Sequence, residues 1–110
     1  MDIQKLWAQV VGIVLIIAGL AGFAMGDVLL LFDVNALHNI VHLLTGAVFA
    51  FAGFKSNVPA KKINISIGAV YVLVTILGFA GMLDILNVNM ADNFLHLALG
   101  LVSIAIGVWT

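Results

Sequence analysis

Cysteine is absent from the 110-residue chain, as are arginine and glutamate, because its four basic residues are Lys5, Lys55, Lys61 and Lys62 and its five acidic residues are Asp2, Asp27, Asp33, Asp84 and Asp92. Without cysteine there are no disulfides, thiolate metal sites, thioether-linked haem or cysteine nucleophiles. With four scattered lysines and a net charge of −1 there is no basic cluster to neutralise phosphates, so nucleic acid is excluded as a partner. The sequence also has no Ser/His/Asp series of catalytic order, no paired glutamates, no phosphate-binding loop and no zinc-protease motif. Enzyme activity is therefore the least supported class.

What remains is apolar. Hydrophobic residues make up 65% of the chain and mean hydropathy is +1.29, against roughly 45–50% apolar content in soluble domains. A hydrocarbon core takes about 20 residues of helix to cross, and four segments qualify: 6–25, 36–54, 63–83 and 91–110. Charged residues fall between them or at their ends. The runs lack the strict alternation of a barrel, so the expected fold class is all-α: an integral membrane four-helix bundle in the lipid bilayer, with residues 1–110 as a single transmembrane domain.

The first segment has features of a secretory signal, with Lys5 ahead of an apolar run and small residues at its end. However, Gly12, Gly22 and Phe23 recur 56 positions later as Gly68, Gly78 and Phe79, inside a segment that cannot be a signal. The first helix is therefore expected to be retained. Helix 2 recurs as helix 4 with an offset of 54, as Gly46/Gly100 and Gly53/Gly107 show. The chain reads as two tandem helical hairpins, repeat 1 over 6–54 and repeat 2 over 63–110, related by an axis along the membrane normal. Lysines before helix 1 and between helices 2 and 3, with aspartates alone in the other loops, predict cytoplasmic termini in an inner (plasma) membrane. Trp7 and Trp109 are then expected at the cytoplasmic interface, and the apolar stretch 28–32 along the outer one as simple interfacial packing, with covering the motif or contacting a partner subunit as the alternatives.

The most informative pattern is a motif present twice: Val34-Asn35-x-x-His38-Asn39-x-x-His42-Leu43-x-x-Gly46 and Val88-Asn89-x-x-Asp92-Asn93-x-x-His96-Leu97-x-x-Gly100. Asn35 and Asn89 stand where helix N-caps belong, and Asp92 suits the positive end of a helix. Asn39 and Asn93 suit hydrogen bonding between helices. His42 and His96 lie seven residues beyond their Asn, about 10 Å deeper at 1.5 Å per residue. With the glycines one and three turns on, they form a stripe expected to face the bundle interior, bringing helices 2 and 4 together near the axis with His42 beside His96 and Asn39 beside Asn93.

The doubled motif and four-helix layout resemble a family of small bacterial membrane proteins described only as a domain of unknown function. The resemblance covers nearly the whole chain and implies a compact inner-membrane protein, sometimes an accessory element. It carries no reaction, cofactor or catalytic residue.

The leading functional expectation is a structural or accessory protein in which Asn35, Asn39, Asn89 and Asn93, with the histidines and Asp92, form a polar cluster pairing helices 2 and 4. The alternative is a ligand site. His38 and His42 are i,i+4, as are Asp92 and His96, so His38, His42, Asp92 and His96 form a candidate transition-metal set, and His42 and His96 at equal depth are candidate axial ligands for haem or another tetrapyrrole. Transport ranks lower because ionisable groups do not continue through the inner half, where Tyr71 reads as a packed ring bonded to a carbonyl. A membrane-protein partner or second copy of the chain is a further expectation, resting on Gly22-x-x-x-Gly26 as a dimer-face signal.

Overall fold

The computed structural model describes residues 2–26, 28–29 and 32–109; Asp27 and the last residue of the expected fourth span, Thr110, lie outside the described residues. Four helices dominate: α1 (Ile3–Met25), α2 (Ala36–Phe54), α3 (Ala60–Phe79) and α4 (Met90–Trp109). All four are long and apolar enough to cross a membrane, and the protein is a multi-pass membrane protein. Between α1 and α2 a pair of two-residue strands, β1 (Val28–Leu29) and β2 (Phe32–Asp33), runs antiparallel with Val28 opposite Asp33. Residues 30 and 31 of the expected interfacial stretch lie outside the described residues. A 3₁₀ turn, Asp84–Leu86, lies between α3 and α4.

The third helix ends four residues earlier than its apolar run. Gly81 takes a φ of +73°, its N–H bonds to Gly78 O and the Met82 N–H bonds to Leu77 O. Those two bonds, with a left-handed residue just beyond the helix, make a Schellman stop. Apolar composition marks what lipid accepts, whereas the glycine marks where the helix can turn.

Packing is hairpin by hairpin: α1 lies chiefly on α2 and α3 on α4. Glycines make this possible. A Cβ added at Gly46 would lie 2.9 Å from Ile16 N and 3.0 Å from Gly12 O, and one at Gly100 would lie 2.8 Å from Gly68 O and 2.9 Å from Val72 N. Both are backbone-to-backbone approaches that only glycine permits. The pairs Gly12/Gly46 and Gly68/Gly100 are repeat equivalents, so the hairpin contact itself is what is duplicated. Gly22 is covered as well, by the side chain of Asn39 of α2, which removes it from any dimer face.

The expected meeting of helices 2 and 4 takes a different form. Among the described residues no Cα of α2 comes within 8 Å of one in α4. The two helices stand diagonally across the bundle, and Gly46 and Gly100 face their own hairpin partners instead of each other. Only long side chains bridge the diagonal. Elsewhere the bundle surface is a belt of exposed aliphatic and aromatic residues, including Leu44, Leu73, Ile76 and Val108, as lipid contact requires.

If the glycine contact sets the hairpin, Gly46→Val and Gly100→Val should each cost about 1–3 kcal/mol through overpacking. The loss is read as earlier unfolding in an SDS titration followed by circular dichroism. Leu101→Val, on the lipid-facing surface, should stay within about 0.5 kcal/mol.

Candidate functional site

Both motif copies begin with the same cap. Asn35 Oδ1 accepts the His38 N–H at 2.8 Å, and Asn89 Oδ1 accepts the Asp92 N–H at 2.8 Å, each satisfying an amide that the first turn leaves without a partner. The copies differ at the third helical position. Asp92 Oδ2 returns to the Asn89 N–H at 2.8 Å, closing a reciprocal capping box, and also accepts the Asp33 N–H at 3.1 Å. One carboxylate thereby starts α4 and holds the β2 end of the other repeat. Its counterpart, His38, does not return to its cap in this way, and its ring turns into the bundle, only 1% exposed.

There the three histidines meet. Ring centroids are 4.4 Å apart for His38 and His42, 5.5 Å for His38 and His96, and 6.0 Å for His42 and His96. One nitrogen from each ring can be chosen so that all three lie within 4.8 Å of one another. The Asp92 carboxylate is not part of this group; it is engaged by the two backbone amides. Of the four residues in the candidate metal set, three converge.

These rings are not satisfied by protein. Both nitrogens of His38 and the Nδ1 atoms of His42 and His96 are fully buried without a hydrogen-bond partner. The backbone of Asp33 and Leu86 lies beside His38, yet neither ring nitrogen reaches it with hydrogen-bonding geometry. An unpaired buried polar group costs about 1–3 kcal/mol, and here several are gathered in one place.

Asn39 and Asn93 behave differently from the expected pair. Each amide oxygen sits where a Cβ would be on the glycine of its own hairpin, Asn39 against Gly22 and Asn93 against Gly78. Among the described residues no hydrogen bond joins them. They belong to the hairpin contact, one layer out from the glycine pairs.

The roof over the histidines is laced between repeats. Asn35 Nδ2 donates to Ile85 O at 2.8 Å and Asn87 Nδ2 to Val34 O at 2.9 Å. Leu86 comes down beside His38, lining a small cavity of about 30 Å³ with Val41, Thr45, Tyr71 and Val74. The Tyr71 ring lies 5.5 Å from that of His96. Its hydroxyl meets Thr45 Oγ1 at 2.7 Å, a hydroxyl partner in place of the expected carbonyl.

A second polar layer, at the end carrying the termini, lay beyond the motif reading. Lys5 Nζ donates to Ala52 O at 2.7 Å, Lys55 O at 2.5 Å and Val58 O at 2.7 Å, and Lys61 Nζ donates to Gly107 O at 2.7 Å. Each lysine closes the C-terminus of its hairpin partner, where cations are favoured. Lys5 and Lys61 are 56 apart, so the repeat offset was the signal that could have found them. Gln4 Nε2 donates to Ile106 O at 2.6 Å, while Asn64 Nδ2 reaches Gln4 Oε1 at 3.0 Å. Trp7 also turns inward, its Nε1 donating to Ser103 Oγ at 2.9 Å, whereas Trp109 is 79% exposed and stands where an interfacial anchor would.

The caps make a graded prediction. Asn35→Ala and Asn89→Ala should each cost about 0.5–2 kcal/mol. Asp92→Ala, which leaves two amides without an acceptor, should cost about 1–3 kcal/mol, and Asp92→Asn should recover most of it. SDS unfolding of the four variants checks the order.

A comparison with curated proteins finds no match, and neither does one with solved structures. A family model described as Domain of unknown function (DUF4383) matches residues 5–109. With a doubled hairpin that the model spans almost end to end, the chain belongs to the DUF4383 family.

Proposed function

We propose that the protein is a membrane-embedded module that binds a transition-metal ion through His38, His42 and His96. The observation that carries this reading is the convergence of the three rings, one nitrogen from each lying within 4.8 Å of the others, in a core where four of their ring nitrogens have no hydrogen-bond partner. A neutral imidazole has one N–H and one lone pair, and in hydrocarbon neither finds water. A cation turns three of the lone pairs into ligands and removes that penalty. Three imidazoles with a fourth position open is a donor set suited to zinc. Zn–N bonds of about 2.0–2.1 Å place ligand nitrogens roughly 3.3 Å apart in a tetrahedron, so binding draws the rings together from the 4.8 Å within which they lie. Asp92 serves as a cap, so it is not assigned as a ligand.

The reading as interhelical glue is weaker, because glue requires the side chains to satisfy one another. A tetrapyrrole is disfavoured by His38. Its ring lies within 4.4 Å of His42 and 5.5 Å of His96, centroid to centroid, in the space that a macrocycle ligated by those two would fill. Transport and enzymatic roles rank below these, and a protein partner or second copy has no separate support.

Protein purified in detergent, stripped with chelator, incubated with Zn²⁺ and passed through a desalting column should retain close to one ion per chain by elemental analysis. His38→Gln, His42→Gln and His96→Gln should each weaken retention by at least about tenfold, while Asp92→Asn keeps it. Retention that is absent, or unchanged by all three histidine variants, would end the reading.

For orientation, the lysine distribution supports cytoplasmic termini in a plasma membrane, with the histidines in the outer half. Since the chain has no cysteine, Asp84→Cys should react with an impermeant maleimide on intact cells and Ser56→Cys only after lysis. The opposite pattern would invert the topology.

A further inference from the structure

Of the helix contacts between hairpins, α2 with α3 and α1 with α4 are repeat equivalents that have been filled differently. Where α3 meets α2, Tyr71 is 3% exposed and paired with Thr45, and about 30 Å³ of space remains. Where α1 meets α4, the equivalent positions hold Leu15 and Leu99, 56 residues before Tyr71 and 54 after Thr45. There a cavity of about 240 Å³ stands between Trp7, Val11, Leu15, Ala18 and Leu99. His42 and His96 also line it. Val10, Val14 and Leu95 at its edge are 50%, 57% and 47% exposed, and in a membrane-spanning segment exposure means contact with lipid. A second space of about 220 Å³ shares Val14, Ala18, His42 and Leu95 and runs outward toward Phe32 and Asp92.

We infer that the α1–α4 cavity is a binding site for a neutral, lipid-soluble ring compound bearing an oxygen, of the quinone class, which enters sideways from the bilayer and turns its oxygen toward His42 and His96. Size, walls and mouth each narrow the occupant. A dry aliphatic cavity of about 150 Å³ is enough for benzene, so this one admits a substituted ring. No charged side chain lines it, which rules against ions and charged metabolites. A plain acyl chain would fill the volume but leave the imidazoles without a polar partner, whereas a ring oxygen gives an imidazole N–H an acceptor. The site stands on the cavity and the two histidines, whether or not a metal ion is bound to them.

The probe is tetramethyl-1,4-benzoquinone, and the reporter is Trp7 in a Trp109→Phe background, with the protein in lipid nanodiscs. Quenching of Trp7 should saturate with probe concentration. Quenching of Trp109 in a Trp7→Phe background should rise linearly, as partition into lipid alone produces. Leu15→Tyr/Leu99→Thr, which transplants the filled interface onto the open one, should weaken the saturable component by at least about tenfold, or about 1.4 kcal/mol. Val14→Phe, which narrows the mouth from its lipid-facing side and leaves the core intact, should do the same. Linear quenching of Trp7, or saturation untouched by both variants, would overturn the inference. Repeating the titration on chelated and zinc-treated protein separates the two proposals. Saturation without zinc retention defeats only the metal site, and zinc retention with linear quenching defeats only this cavity site.

Discussion

The close backbone approach inside each hairpin is the constraint on which the rest depends. Gly46 against Gly12, and Gly100 against Gly68, brings the second helix of each repeat onto the first at a distance no side chain would permit. In doing so it fixes the rotation of α2 and α4 about their axes. His42 and His96 precede those glycines by four residues, about 40° around the helix, so once the glycines face the partner helix the imidazoles must face the middle of the bundle. They meet there although the backbones that carry them do not. Nothing in the histidines themselves brings them together; they are delivered by packing elsewhere.

Differences between the two motif copies account for the uneven composition of the centre. At the third position of each motif helix, one repeat has a residue that caps and the other has one that does not. Asp92 is held by the start of α4 and by the Asp33 amide, which leaves His38 as the third ring. A symmetric pair of capping boxes would yield two imidazoles facing each other. The break in symmetry yields three, with a direction from which they can be approached. The two hairpin interfaces diverge in the same sense, Tyr71 sealing one while Leu15 leaves the other open.

The helices and both asparagine caps were legible because each depends on local chemistry: apolar length for lipid, an amide side chain for orphaned first-turn donors. The facing of the glycines was not. A stripe of small residues marks a close approach without saying which helix arrives, and the equal depth of Gly46 and Gly100 invited the diagonal pairing when the partner was the neighbour in sequence. Asn39 and Asn93 misled for the same reason, since an amide can bond across helices or rest over a glycine, and only Gly22 and Gly78 decide between these. Lys5 and Lys61 were legible as charges that orient the chain, but their role as caps required knowing that the C-terminus of α2 returns to the start of α1, and that of α4 to the start of α3.

Those lysines give the hairpins an unusual electrostatic independence. Lys5 and Lys61 are answered by backbone carbonyls at the ends of α2 and α4, partners that carry no proton to gain. A lysine paired to a carboxylate is released when acid neutralises its partner, but a peptide dipole survives any acidity the fold itself survives. The lysine clamp at the open end of each hairpin therefore rests on partners that acid cannot neutralise, and it forms without the glutamate and arginine that the sequence lacks.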